Sequence, residues 1–241
     1  MPSTQPYQEL QPQPIILAID AFYWKRSQGT IVFRAVNLKR NLLWFEIDSE
    51  TVADYLKGVI CLRKAGWEIQ GFVIDGRKGV AQALQAYAPV QYCQFHQKKT
   101  IKKYLTSNPQ TQPAIELKII ADRLTFTDRP SLEGWLQAWH EKWAATLKER
   151  TIHPESQRWS YTHKRLRSAY FSLIHNLHWL YTYHERMVEL NKLPIPNTTN
   201  SLDGSISHLR TKVRVHSGVK KLSRQKITDT LLRGKTPKIS P

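Results

Sequence analysis

Two acidic residues follow the same kind of short apolar run at two separate places in the chain. Asp20 comes directly after residues 15–19, and Asp75 comes directly after residues 71–74, so an isoleucine precedes each acid. Apolar runs of this length are typical of strands buried on both faces. Ligands of open α/β sheets bind at the carboxyl ends of strands, which predicts that both carboxylates belong to one site. For either acid alone, the alternative is a structural role in capping the next turn.

The segment after Asp75 reads Gly-Arg-Lys-Gly. Its glycines permit a tight turn and close approach of a ligand to the backbone. Arg77 and Lys78 are therefore candidate phosphate contacts, although the spacing is not that of a P-loop.

A third acid, Asp203, falls in the first turn of a helix predicted over residues 201–215. Acids also occur there for a purely structural reason, because they interact favourably with the helix dipole. Helical spacing places Arg210 and Arg214 on the same polar face as Asp203. This face predicts a metal-holding carboxylate next to a phosphate-binding surface.

Three carboxylates can hold two hard divalent cations. Two such ions about 4 Å apart clamp the attacking and leaving oxygens in phosphoryl transfer. A water or a 3′-hydroxyl is then the nucleophile, so no activated side chain is needed.

The charge favours a nucleic-acid partner. Lys and Arg number 36 against 19 Asp and Glu, a net charge of +17, which attracts phosphate backbones; weak polyanion binding is the alternative. Lys98, Lys99, Lys102 and Lys103 lie on one predicted helix and are candidate DNA contacts. A merely solvated helix face is the alternative for them.

Composition excludes several classes of protein. The 241 residues are 41% hydrophobic with 8 Trp and 10 Tyr, which excludes a disordered chain. No apolar run approaches the roughly 20 residues of a membrane span, and the N-terminus does not resemble a secretory signal. Two cysteines argue against a disulfide framework. We therefore expect a cytoplasmic protein.

Strand signals dominate the first part of the chain, and helical signals dominate the second. Strands are predicted over residues 15–19, 29–37, 42–47, 67–74 and 90–92, with helices over 49–65 and 79–87. Nearly everything from 94 to 191 is predicted to be helical, including a tryptophan stripe interpreted as packing and not as a ligand surface. The order fits a helical block inserted before the last core helix of an α/β sheet. Two independent domains fit it equally.

Five segments together resemble bacterial insertion-sequence transposases of the Mutator-like type, over residues 15–230. They are "IDAFYW", "FVIDGRKG", "YCQFHQKKTIKKYL", "RWSYTHKRLRSAYFSLIHNLHWLYTY" and "IPNTTNSLDGSISHLRTKVRVHSG". The most specific pieces are the Cys93-x-x-His96 signature and the stretch around Asn200 that leads to Asp203.

The resemblance implies a ribonuclease H-like mixed five-stranded sheet with a large all-α insertion before the last core helix. A flexible lead-in would cover residues 1–14, the first part of the core 15–93 and the insertion 94–193, whose first helix could belong to the core. The last core helix with the third acid would cover 194–218, and a basic, loosely ordered tail 219–241.

The resemblance also implies chemistry: strand cleavage and transfer at insertion-sequence ends by an Asp-Asp-Glu triad with two Mg²⁺ or Mn²⁺ ions. Asp20 and Asp75 match the first two acids, whereas Asp203 stands where most members have Glu, which puts full activity in question. Cys93 and His96 would make only half of a four-coordinate zinc site, so zinc is not expected. A buried Cys beside a His that stabilises the edge of the site is the preferred interpretation.

Partners follow from the same resemblance: transposon-end and target DNA, bound by a homodimer or higher oligomer in the bacterial nucleoid. Family members carry an N-terminal DNA-binding region, and only 14 residues precede the first predicted strand, so we expect a truncated copy. Two alternatives stay open. One is a transposase remnant that binds DNA without cutting it. The other is a different ribonuclease H-like nuclease, such as a resolvase or an RNA–DNA hybrid nuclease.

Overall fold

A computed structural model describes residues 10–25, 27–186, 191–199, 202, 206, 207, 211 and 221–233. Five strands form its main sheet: β1 Pro14–Lys25, β2 Gln28–Ala35, β3 Arg40–Ile47, β4 Glu68–Ile74 and β5 Val90–Tyr92. Their order across the sheet is β3-β2-β1-β4-β5. The first three strands are antiparallel neighbours, and β4 and β5 run parallel to β1. The predicted α/β class with a mixed five-stranded sheet is confirmed.

One strand boundary differs from the prediction, because β1 does not end before Asp20. The strand continues to Lys25, since residues 20–25 pair with β2 in the antiparallel ladder. The parallel pairing with β4 stops earlier, at Ala18. Asp20 therefore lies within β1, beside the point at which the parallel strand β4 has just ended.

Helices account for most of the remaining described chain. They are α1 Val52–Lys64, α2 Val80–Leu84, α3 Gln94–Leu105, α4 Gln112–Asp122, α5 Arg129–Lys148, α6 Lys164–Leu180, α7 Thr182–Arg186 and α8 Lys221–Arg233. Thr51 and Asp54 form a capping box at the start of α1, and Gly66, with φ +91°, follows its end. The tryptophan stripe of α5 packs inward: Trp139 is buried, and Trp135 and Trp143 pack against the core.

The prediction that nearly everything from residue 94 to 191 is helical does not hold between α5 and α6. A two-stranded hairpin stands there, formed by β6 Arg150–Ile152 and β7 Trp159–Tyr161. Its loop is closed by a hydrogen bond from the His153 N–H to the Arg158 carbonyl at 3.0 Å. The physical reason lies in the residues, because Pro154 cannot donate a helical hydrogen bond, and Thr, Ile, Trp and Tyr favour strands.

Helices α1 to α6 lie on the side of one face of the sheet, where α4 and α5 pack against α3 and α6. A single cluster of buried residues joins this face to those helices; its members include Leu17, Phe33, Phe72, Tyr55, Leu117, Leu136 and Leu173. No helix in the described part of the chain is long and apolar enough to cross a membrane.

The opposite face of the sheet carries a second, smaller cluster. Ile16, Ala18 and Val73 of the sheet meet Ile195, Leu202, Ile206 and Leu232 from the end of the chain. The expectation of a loosely ordered tail after residue 219 is therefore wrong for α8. Asn41 Nδ2 donates to the Leu232 carbonyl at 2.9 Å, and Trp44 Nε1 donates to Asp229 Oδ1 at 2.6 Å. The polar composition of α8 hides its short apolar stripe from a sequence reading.

Candidate active site

Strands β1 and β4 bring the first two predicted acids to equivalent positions. The last parallel pair is Ala18 with Val73, and two residues further along each strand direction stand Asp20 and Asp75. Neighbouring strands lie about 4.8 Å apart, so the two carboxylates occupy one edge of the sheet. Asp20 is half-buried, and its Oδ1 accepts a hydrogen bond from the Ala21 N–H at 2.8 Å.

Asp75 has an oxygen that suits a cation. Its Oδ1 is buried, and no described residue donates a hydrogen bond to it. Leaving a carboxylate oxygen buried without a donor is costly unless a positive charge compensates it. This orphaned oxygen beside a second carboxylate fits the hard-cation site that the sequence predicts.

Two tyrosines, both with neutral hydroxyl groups, lie near the carboxylates. Burial raises the pKa of Tyr55, and the nearby charges of Asp75, Glu50 and Asp20 raise it further. Burial and then Asp75 raise the pKa of Tyr92 to about 12. Both hydroxyls therefore keep their protons at neutral pH. The negative charge of the site is shared by carboxylates alone.

Glu50 is a site residue that the sequence reading missed. Its side chain is only 10% exposed. Tyr55 Oη donates a hydrogen bond to Glu50 Oε1, and Arg77 Nη1 lies 3.1 Å from Oε2. Burial raises the pKa of Glu50, the Tyr55 hydrogen bond lowers it, Asp75 raises it and Arg77 lowers it, with a net rise. The one sequence signal was an acid just before the Thr51 cap. Arg77, predicted to contact phosphate, is engaged in this ion pair, whereas Lys78 is exposed.

The third predicted acid, Asp203, lies outside the described residues, as do Asn200, Arg210 and Arg214. Its neighbour Leu202 is buried in the second cluster against the face that carries Ile16 and Ala18. Because side chains alternate along a strand, Asp20 points to that same face. Among the described residues, no three His, Cys, Asp or Glu side chains form a group that could hold a metal ion.

The two most specific motif pieces contact each other. Cys93 is buried at the end of β5, and its Sγ accepts hydrogen bonds from the N–H and the hydroxyl of Thr199, both at 3.3 Å. Burial raises the pKa of the Cys93 thiol, but hydrogen bonds from His96 and Thr199 outweigh it and lower the pKa overall. The Gln94 N–H donates to the Asn197 carbonyl at 2.9 Å. This junction fixes the segment before Leu202 to the edge of the sheet.

The predicted basic run lines a groove that begins at Thr198. Lys98, Lys99 and Lys102 of α3 line it together with Lys118 of α4, and its volume is about 570 Å³. Lys98 Nζ donates to the Asp122 carbonyl at 2.8 Å. The ammonium groups of Lys99 and Lys102 stay on the exposed side of α3. The groove is positively charged and adjoins the Cys93 junction.

Comparison with known proteins adds no family assignment. No protein-family model matches the chain, and no curated protein matches its sequence significantly.

Proposed function

We propose that this chain is the catalytic domain of a metal-dependent DNA transposase with a ribonuclease H-like fold. The observation that carries the proposal is the placement of Asp20 and Asp75, each two residues past the last β1–β4 pair, together with the buried Asp75 Oδ1, which has no donor among the described residues. The mixed five-stranded sheet is compatible with the fold that the resemblance implied. The hydrogen bond between Cys93 and Thr199 joins the two most specific motif segments next to the site.

The proposed chemistry is strand cleavage and transfer at insertion-sequence ends. Asp20, Asp75 and Asp203 would hold two Mg²⁺ or Mn²⁺ ions, which would supply charge neutralisation at the scissile phosphate and a more acidic bound water. The burial of Leu202 and Ile206 on the face to which Asp20 points supports the place of Asp203 in this set. The ion pair of Glu50 with Arg77 holds the loop after Asp75 in position.

Positive side chains around the site would hold the DNA. Lys78 and the groove formed by Lys98, Lys99 and Lys102 are the described candidates for phosphate contacts. Arg210 and Arg214 remain sequence-based candidates. Because two transposon ends must be cut together, we propose a homodimer or higher oligomer on DNA, in the bacterial cytoplasm.

The test is nicking of supercoiled plasmid carrying insertion-sequence ends, with Mg²⁺ and with Mn²⁺. Asp75→Asn keeps the side-chain shape but removes the charge, and we expect it to reduce nicking about 100-fold or more. The matched control is Glu133→Gln, since Glu133 is an exposed acid of α5 that does not line the lysine groove, and it should nick like the wild type. Equal nicking by wild type and Asp75→Asn would identify a contaminating nuclease and overturn the proposal.

Asp203 in place of the usual Glu favours one second candidate, a remnant that binds DNA without cutting it. Wild-type protein that binds duplex DNA with steep salt dependence but never nicks it would support the remnant. Preference for four-way junctions or RNA–DNA hybrids over transposon-end duplex would indicate a different nuclease of the same fold.

A further inference from the structure

The hairpin β6–β7 carries a row of alternating arginine and aromatic side chains. The Arg150 guanidinium lies 4.0 Å from the Trp159 ring centre and 5.8 Å from that of Tyr161. The Arg167 guanidinium from α6 also lies over the Tyr161 ring, 3.6 Å from its centre. We call Arg150, Trp159, Tyr161 and Arg167 the arginine–aromatic row. Stacking of this kind orders an otherwise marginal two-stranded ribbon.

The outer end of this row faces solvent. Trp159 is 52% exposed, and Ile152, directly opposite it in the hairpin register, is 64% exposed. A tryptophan that has an arginine over its ring and about half of its surface open to solvent is a ready platform for a second flat ring.

The surroundings are strongly basic. Residues 148–167 contain six Lys and Arg against two Glu, and one of these acids, Glu149, is paired with His163 at 3.0 Å. Within the part of the chain that the structure describes, Arg150 and Arg158 form no ion pair with a carboxylate. A guanidinium that stacks through its face keeps its N–H groups at the edge, where they can donate to phosphate oxygens.

We infer that this hairpin binds single-stranded nucleic acid, with an unpaired base stacked on Trp159 and the adjoining phosphates held by Arg150 and Arg158. Bases inside a duplex offer no free ring face, so an exposed tryptophan selects unpaired nucleotides. The positive charge favours a polyanion over a second copy of this basic chain. The inference rests on the proposed function for the identity of the ligand as DNA, and it adds an unpaired strand to the substrate.

The experiment measures binding without divalent metal, so that cleavage plays no part. Fluorescence anisotropy of a labelled thymidine 20-mer would be compared with that of a 20-base-pair duplex, for wild type and three variants. We expect Trp159→Ala to weaken single-strand binding about fivefold or more, and Arg150→Gln about three- to tenfold, with smaller effects on duplex. Trp159→Phe keeps a stacking ring and should retain most of the affinity.

Arg123→Gln is the matched control, because Arg123 is also exposed and stacks on a tryptophan, Trp135, at 5.3 Å. It removes the same charge and should change single-strand affinity less than twofold. Equal affinity of wild type, Trp159→Ala and Arg150→Gln for the 20-mer would overturn this inference alone. So would a Trp159→Ala variant that binds the 20-mer normally but loses self-association in sedimentation. Wild type that binds neither DNA would overturn the proposed function as well.

Discussion

The two faces of the central sheet are packed in different ways. The face under α1 to α6 carries large side chains, such as Phe33 and Phe72, in one extensive cluster. The other face carries small residues where it packs against segments from the end of the chain. Ala18, Gly71 and Val73 lie there under Ile195 and Leu202. The first face therefore supplies most of the buried apolar surface and most of the stability. The second lets the late segments approach the edge that carries Asp20 and Asp75.

Two glycines offer the same substitution on opposite faces, and the larger effect is expected on the first. A Cβ at Gly58 in α1 would overlap the buried ring of Phe33, which stacks on Phe45. We expect the overlap in Gly58→Ala to lower the free energy of unfolding by about 3 kcal/mol. The higher helix propensity of alanine contributes roughly 1 kcal/mol in the opposite direction and does not offset this loss. Urea unfolding followed by circular dichroism measures it.

Gly71→Ala is the counterpart on the second face. There the added Cβ would lie 2.6 Å from Ile195 Cδ1 and 2.9 Å from Ile195 Cγ1, so the close contact is with one aliphatic side chain and not with an aromatic ring. A loss of about 1 kcal/mol is expected. If Gly71→Ala proves as damaging as Gly58→Ala, the two faces are equally rigid and the contrast between them disappears.

The first face is also the one that sequence reasoning predicted well. Its strands alternate or run continuously apolar, and α1 shows helical spacing, so local pattern and final fold agree. The second face depends on α8 and on Ile195, Leu202 and Ile206, apolar side chains that find packing partners only when the sheet is already in place. Sequence patterns predicted that Asp75 follows its strand. They did not reveal Glu50, because its role depends on contacts with Tyr55 and Arg77.

The Cys93 junction, formed by the contact of Cys93 with Thr199, can be tested by comparing the two cysteines of the chain. Cys93→Ala would remove the buried Sγ that accepts two hydrogen bonds from Thr199 and would leave a small cavity. We expect a loss of about 2 kcal/mol in the free energy of unfolding. The same change at Cys61, which is half-buried on α1, should lower it by about 0.5 kcal/mol or less. Equal losses would mean that the junction does not fix the late segment.

The smallest effect should come from the charge of Glu50, at the rim of the site. Burial raises its pKa above the ordinary value of 4.5, so in the pH range between these two values the folded protein binds more protons than the unfolded chain. Stability must then fall as pH rises through that range. Glu50→Gln cannot ionise and lacks this slope. Its free energy of unfolding relative to wild type should rise as the pH increases above 4.5, by about 1 kcal/mol or less, because Tyr55 and Arg77 offset part of the rise that burial causes in the pKa of Glu50.

Tyr55→Phe provides the opposite change. It removes the hydrogen bond that lowers the pKa of Glu50, so that pKa should be higher in the variant than in the wild type. The loss of stability with rising pH should therefore continue to a higher pH in Tyr55→Phe than in the wild type. Unfolding curves at half-unit steps of pH would compare the three proteins. A difference between Glu50→Gln and wild type that stays constant with pH would show that Glu50 ionises as easily in the fold as in the unfolded chain. The lowering of the Glu50 pKa by Tyr55 and Arg77 would then offset the effect of burial in full, and the predicted net rise would be wrong.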